Sequence, residues 1–93
     1  MKTKAFAIYD SKTEAYLPPF FVEHAGSAIR SFTDACNKDD HEFGKHPEDY
    51  TLFELGEYDS DTGQMSPYDA KKSLITGIEV VTSKAIPGQL ELA

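Results

Sequence analysis

The sequence predicts a small α+β domain, with a few-stranded sheet packed against one main amphipathic helix. Two stretches rich in β-branched and aromatic residues, 3–9 and 50–58, predict strands. Between them, residues 28–36 carry apolar side chains at helical spacing, which predicts the helix. The chain has 93 residues, enough for one domain. We expect 1–82 to form that domain and 83–93, with Pro87-Gly88, to be a mobile tail.

The first strand, Thr3 to Tyr9, is predicted to end at the turn formers Asp10 and Ser11. A second extended segment follows from Tyr16 to Val22. Its Pro18-Pro19 pair lacks two backbone donors, which excludes a central strand. This segment is therefore an edge strand or a polyproline-like arm that reaches another subunit.

The predicted helix opens at Gly26-Ser27 and ends near Asn37. One face is apolar, formed by Ala28, Ile29, Phe32, Ala35 and Cys36. Residues 38–47 are polar and are predicted to be a loop.

The second clear strand, Tyr50 to Tyr58, has apolar residues on both faces of its two-residue period, which is typical of a central strand covered on both sides. A turn is predicted at 59–63. Ser66 as cap and Pro67 at the first helical position predict a short helix through about Ile75. After Gly77, the β-branched run 78–81 predicts a strand.

The formal net charge of −7 is concentrated in one segment. Residues 39–61 hold nine acids against Lys45, a local charge of −8, and the rest of the chain is close to neutral. No run approaches the roughly 18 apolar residues of a membrane span, so we expect a soluble protein. Cys36 is the only cysteine, which excludes an intramolecular disulfide and suits a reducing cytoplasm. Helical spacing predicts that Cys36 is buried.

Three segments carry a family resemblance: FAIYDSKTEAYLPPFF at 6–21, AIRSFTDACN at 28–37 and HPEDYTLFELGEYDSD at 46–61. Together they resemble the small non-structural protein of the gokushovirus-type microviruses, phages with single-stranded DNA genomes, over roughly Met1 to Tyr58. The resemblance implies a DNA-binding accessory factor that acts in the cytoplasm of the host bacterium. It would help replication pass from double-stranded intermediates to single-strand synthesis. No catalytic motif comes with the resemblance.

If the protein binds DNA, cations would track phosphates and rings would stack on bases. The candidate DNA-binding residues, with single-stranded DNA as the expected form, are Lys2, Lys4, Tyr9, Lys12, Tyr16, Arg30, Lys71 and Lys72. Three further aromatic residues, Phe6, Phe20 and Phe21, are expected to be core or dimer contacts, because so small a domain has few other large residues to bury. The same small core predicts a homo-oligomer.

The rival interpretation is an acidic protein-interaction module that engages the replication initiator or a host replication factor. Its candidate residues are Glu48, Asp49, Glu54 and Glu57. A purely structural assembly factor is a third interpretation.

The sequence predicts no enzyme, no metal and no cofactor. The segment Asp59-x-Asp61-x-Gly63 begins like a calcium loop, but Gln64 and Ala70 occupy the places of the required Gly and Glu. A second acidic and histidine-containing segment, with Asp39, Asp40, His41 and His46, matches no closed ligand spacing. No nucleophile is paired with a base in a recognisable motif.

Overall fold

The computed structural model describes residues 1–81, and the predicted tail, 83–93, lies outside them. Five antiparallel strands form one sheet: β1 (Lys2–Asp10), β2 (Ala15–Tyr16), β3 (Phe20–Val22), β4 (Tyr50–Asp59) and β5 (Gln64–Thr76). The helices are α1 (Ala25–Cys36) and α2 (Glu42–Lys45), with a 3-10 turn at Pro47–Asp49 and a helical turn at 77–81. The strand order is β2-β1-β4-β5, and β3 pairs with β1 on the same side as β2. The predicted α+β class is confirmed.

The core lies between α1 and one face of the sheet. Successive side chains of a strand point to opposite faces, so Phe6 and Ile8 of β1 enter the core with Leu52 of β4. From α1, Phe32 and Cys36 pack against them, and both are almost fully buried. The predicted burial of Cys36 is therefore confirmed.

One edge of the sheet is built from β2 and β3, which pair with β1 on either side of the Pro18-Pro19 break. Leu17 still donates its backbone N–H to the Ile8 carbonyl at 2.8 Å, so the segment follows β1 closely. Of the two sequence alternatives, the edge strand is correct and the protruding arm is wrong. The prolines interrupt the edge because they cannot donate to a ladder.

The predicted helix at Ser66 to Ile75 is wrong, because these residues belong to β5. The turn before β5 is closed by Gly63, with φ +77°, whose N–H donates to the Asp59 carbonyl at 2.7 Å. This turn aligns β5 with β4, and long-range pairing outweighs the local cap signal. Pro67 lies opposite Gly56 beside a register irregularity, where a strand tolerates proline.

The predicted strand at 78–81 is also wrong, because these residues are helical. Glu79 donates its backbone N–H to Thr76 Oγ1 at 3.3 Å, and Glu79 Oε1 accepts from the Thr76 N–H at 2.7 Å. This reciprocal pair is a capping box, which starts a helix regardless of the β-branched residues behind it. Val80 joins the core from this turn.

Residues 38–47, predicted as a loop, contain α2. His41 caps it, since His41 Nδ1 accepts the Phe43 N–H at 3.0 Å. Phe43 then packs its ring against Tyr50, with centroids 4.5 Å apart. The predicted helix α1 is confirmed, with its start at Ala25 and its end before Asn37.

Strand β4 is central, as predicted, but its two faces differ. Tyr50, Leu52 and Glu54 are buried on the side of α1, whereas Phe53 and Leu55 are only partly buried. The strand was predicted to be covered on both sides, and the structure covers the side opposite α1 only in part. We call the face of the sheet opposite α1 the open face.

Candidate functional site

The pairing register determines which side chains share the open face. Directly paired residues of neighbouring strands project to the same side. Tyr9 of β1 is paired with Tyr16, Ala7 with Phe53, and Ala5 with Phe21. Tyr58 is paired with Thr3 on the same face. Five aromatic rings therefore share the open face: Tyr9, Tyr16, Phe21, Phe53 and Tyr58.

Three of these rings form the Tyr16 cluster, which consists of Tyr9, Tyr16 and Phe53. The Tyr16 ring centroid lies 4.8 Å from that of Tyr9 and 5.6 Å from that of Phe53. Tyr16 is 42% exposed, so part of its surface is accessible to a ligand. Lys71 Nζ lies 5.6 Å from the centroid of the Tyr16 ring. A ring with an adjacent cation is the pair of groups that stacks on a base and contacts its phosphate.

The other two rings, Phe21 and Tyr58, form the Phe21 cluster together with Met65. The Phe21 and Tyr58 centroids are 5.0 Å apart, and Met65 is the β5 partner of Tyr58. Phe21 is 44% exposed and Met65 is 40% exposed. Phe21 was predicted to be a core or dimer contact, and it lies outside the core that contains Phe6 and Phe20. This cluster is an exposed apolar surface at the opposite end of the open face.

Charge is segregated between the two faces of the central strands. The paired open-face positions of β1 and β4 hold no carboxylate: they are Thr3, Ala5, Ala7, Tyr9, Thr51, Phe53, Gly56 and Tyr58. Glu54 and Glu57 pair with Phe6 and Lys4, which project from the other face. The β1 and β4 positions that carry or flank the rings are therefore uncharged.

The structure brings together only part of the predicted DNA-binding set. Tyr9, Tyr16 and Lys71 meet on the open face. Lys12 lies in the turn between β1 and β2, and Arg30 is exposed on α1.

The remaining predicted cations are surrounded by acids on the other face of the sheet. Lys4 Nζ lies 3.6 Å from Glu54 Oε2, and Lys72 is the cross-strand partner of Glu54. Lys2 is paired with Asp59. Cross-strand pairing therefore places these three lysines beside carboxylates, on the face opposite the rings.

The acidic alternative set is also divided. Glu54 is 3% exposed, and Tyr68 Oη donates a hydrogen bond to Glu54 Oε2 at 2.6 Å. This bond to the carboxylate, with burial, raises the pKa of Tyr68 to about 12. Glu54 is therefore an internal group, while Glu48 and Asp49 lie in the 3-10 turn.

A cleft of about 230 Å³ beside Tyr50 collects several carboxylates. Asp10, Glu42 and Asp49 line it, with His46 and Lys12. Burial raises the pKa of Tyr50, and the charges of these three acids raise it further. His46, Glu48 and Asp49 offer ligand atoms within 4.8 Å of one another, with His46 and Glu48 exposed and Asp49 partly buried. Of the earlier metal candidates, His41 instead caps α2.

Sequence reasoning missed Phe53, Phe21 and Tyr58 as site residues. The available signal was the alternation in β1, where Ala5, Ala7 and Tyr9 alternate with the core residues Phe6 and Ile8. That alternation identifies a second face of β1, but it does not identify the residues of other strands that share this face. Phe53 and Phe21 reach this face only through the pairing of β4 and β3 with β1.

The fold is a small α+β domain with an aromatic sheet face. A family model described as Phage ORF5 protein matches residues 3–80, so the chain belongs to the Phage ORF5 protein family. The match extends past Tyr58 to include β5. No curated protein and no solved structure matches the chain. Among residues 1–81, no helix is long and apolar enough to cross a membrane.

Proposed function

We propose that this phage protein binds single-stranded DNA through the open face, as a non-enzymatic accessory factor of single-strand genome synthesis. The observation that carries the proposal is the group of five aromatic rings on a sheet face whose paired β1 and β4 positions hold no carboxylate. With the family resemblance, this suits a gokushovirus-type microvirus protein that acts in the cytoplasm of the host bacterium.

Stacking is the physical basis of the proposed affinity. Each base stacked on an aromatic side chain contributes roughly 1–3 kcal/mol. Base faces are accessible in a single strand and are covered by neighbouring bases in a duplex. A surface rich in rings and poor in cations therefore favours single strands. Binding is stoichiometric, with no reaction step.

A titration of purified protein against single- and double-stranded DNA at two salt concentrations tests the proposal. We expect tighter binding to the single strand. Tyr16→Ala should weaken it by about 5- to 150-fold, because one stacking surface is lost. No single-strand binding at low salt would contradict the proposal.

A matched pair of charge reversals locates the interface. Lys71→Glu and Arg30→Glu make the same change in net charge, but Lys71 lies beside the Tyr16 ring and Arg30 lies on α1, across the sheet. We expect Lys71→Glu to weaken single-strand binding and Arg30→Glu to change it little. If both variants weaken single-strand binding equally, the affinity depends only on the net charge of the protein and the open face is not the interface.

The acidic cleft beside Tyr50 supports a second candidate function, which is binding to a basic surface of the replication initiator or a host replication factor. The double variant Glu48→Gln, Asp49→Asn should then weaken binding to that partner. The same variant should leave DNA binding intact or strengthen it, since it removes negative charge. Weaker DNA binding in this variant would show that the acidic turn contributes to the DNA site.

A further inference from the structure

The two aromatic clusters of the open face are separate surfaces. Tyr16 is paired with Tyr9, and Phe21 is paired with Ala5. Four residues of an extended strand span roughly 13 Å, so the two exposed rings stand well apart along β1. Ring contacts join Tyr16 to Tyr9 and Phe53, and Phe21 to Tyr58, but none joins the two clusters among the described residues.

Small residues occupy the space between the clusters. Ala5 and Ala7 are the β1 positions between Thr3 and Tyr9, and Gly56 and Ser73 lie at nearby paired positions of β4 and β5. Ala5 and Ala7 are buried at 0% and 1% exposure, so neighbouring side chains cover them. The two clusters are therefore separated by a covered strip of mostly small side chains, and partly buried Leu55 lies next to Gly56 in β4.

The two clusters differ in charge. Lys71 accompanies the Tyr16 ring, whereas the Phe21 cluster consists of two rings and Met65. A phosphate is therefore attracted at the Tyr16 end, and the Phe21 end offers apolar stacking alone. The opposite face holds the lysines that are paired with acids, so they do not neutralise phosphates on this face.

We infer that one DNA strand lies along β1 and stacks a base at each cluster, with its phosphate contact at the Tyr16 end. This inference rests on the proposed function and specifies its ligand: a single strand long enough to reach both clusters. Shorter oligonucleotides occupy one cluster only. Because linked contacts act together, affinity then rises in a step once the strand spans both.

A length series of oligothymidylates tests the inference. We expect the wild-type protein to show a step in affinity with length. Tyr16→Leu and Phe21→Leu keep apolar packing but lose the ring. Each should abolish the step and weaken the binding of long strands by about 5- to 150-fold. Tyr58→Phe keeps its ring and should retain the step. The slope of log affinity against log salt concentration should be about −0.7 for each phosphate contact, and it should be shallow because the contacts are few.

Different outcomes separate this inference from the proposed function. If wild-type protein binds no oligothymidylate of any length at low salt, the proposed function fails. If it binds but Phe21→Leu leaves the length profile unchanged, the Phe21 cluster is not a stacking site and only the inference is overturned. A step that Phe21→Leu and Tyr16→Leu each remove, in variants with wild-type circular dichroism, supports the inference.

Discussion

At the scale of single residues, Glu54 shows how a carboxylate is kept inside a domain of this size. It is buried between β1 and β5, where Tyr68 donates a hydrogen bond and Lys4 supplies a partly exposed positive charge. A buried carboxylate without such partners would be strongly destabilising. Tyr68 therefore has a structural role on the face opposite the proposed DNA site.

We predict that Tyr68→Phe lowers the free energy of unfolding by about 1–2 kcal/mol, since Glu54 loses a hydrogen bond to its charge. Tyr58→Phe is the matched control, because it removes a hydroxyl from the open face and should change stability little. Urea unfolding at neutral pH measures both. A loss no larger for Tyr68→Phe than for the control would contradict the role assigned to this bond.

The hydrogen bond between Tyr68 and Glu54 also leads to a prediction about stability at alkaline pH. The folded-state pKa of Tyr68, about 12, lies above the ordinary tyrosine value of 10.0, so the protonated phenol is favoured by folding. Its stabilisation is fully present below pH 10 and is lost as the pH rises towards 12. Wild-type stability should therefore fall over this interval more steeply than that of Tyr68→Phe. If the stability of the two proteins falls in parallel as the pH rises, the raised pKa of Tyr68 is contradicted.

Cys36 should be unreactive in the folded protein. Burial raises the pKa of its thiol from 9.0 to about 11, and the thiolate is the reactive form. At pH 8 we expect a disulfide reagent to react at least about 100-fold more slowly with native protein than with protein in urea. Comparable rates would mean that Cys36 is accessible. The shift also predicts stability that is lost as the pH rises from 9 to 11.

At the scale of elements, the β4–β5 hairpin depends on two glycines for different reasons. Gly63 adopts φ +77° in the turn, which L side chains rarely adopt. At Gly56 an added Cβ would lie 2.6 Å from Pro67 Cα, so β4 and β5 approach too closely for any side chain there. The hairpin in turn positions Phe53, Tyr58 and Lys71 on the open face.

We predict that Gly63→Ala costs about 1 kcal/mol from its positive φ, and that Gly56→Ala costs more because backbone atoms must move. Gly26→Ala is the control. It lies in α1 with open space around the added Cβ, and it should be neutral or stabilising by up to about 1 kcal/mol. Thermal unfolding ranks the three variants, and a different order would contradict this account of the hairpin.

At the scale of the whole molecule, both described edges of the sheet carry features that discourage strand addition. Pro18-Pro19 interrupts one edge, and β5 carries Pro67 with Lys71 and Lys72 at the other. Proline, lysine and irregular pairing are typical of protected edges. Both described edges are therefore poor sites for strand addition.

We predict a dimer or larger oligomer at micromolar concentration, because few residues per chain form the core and two apolar clusters are exposed. Analytical ultracentrifugation over a concentration series measures this. A 10.3 kDa monomer throughout the series would contradict the prediction.

Elements with a strong local pattern could be predicted from the sequence alone. Strands β1 and β4 and helix α1 each show a period that identifies the element and its buried face, and the structure places them within one or two residues of the predicted bounds. The burial of Cys36 followed from the same spacing in α1. These features depend on neighbours along the chain, which the sequence displays directly.

Residues 66–81 contained conflicting local signals. Ser66-Pro67 and Thr76…Glu79 are both helix-start patterns, yet only the second starts a helix. Ser66-Pro67 does not start a helix because the turn at Gly63 places the following segment beside β4. There its backbone N–H and C=O groups form hydrogen bonds with β4. The outcome depends on a partner strand, and no local pattern names that partner.

The candidate site could not be predicted from the sequence alone either, because it also depends on which strands pair. Sequence alone identified Tyr9, Tyr16 and Lys71 as candidates, but the register adds Phe53, Phe21 and Tyr58 and removes Lys2, Lys4 and Lys72 to the acidic side of the sheet. Local periodicity determines which side of an element is buried. Only pairing between distant segments decides which exposed side chains share a surface, because a shift of one residue moves a side chain to the opposite face.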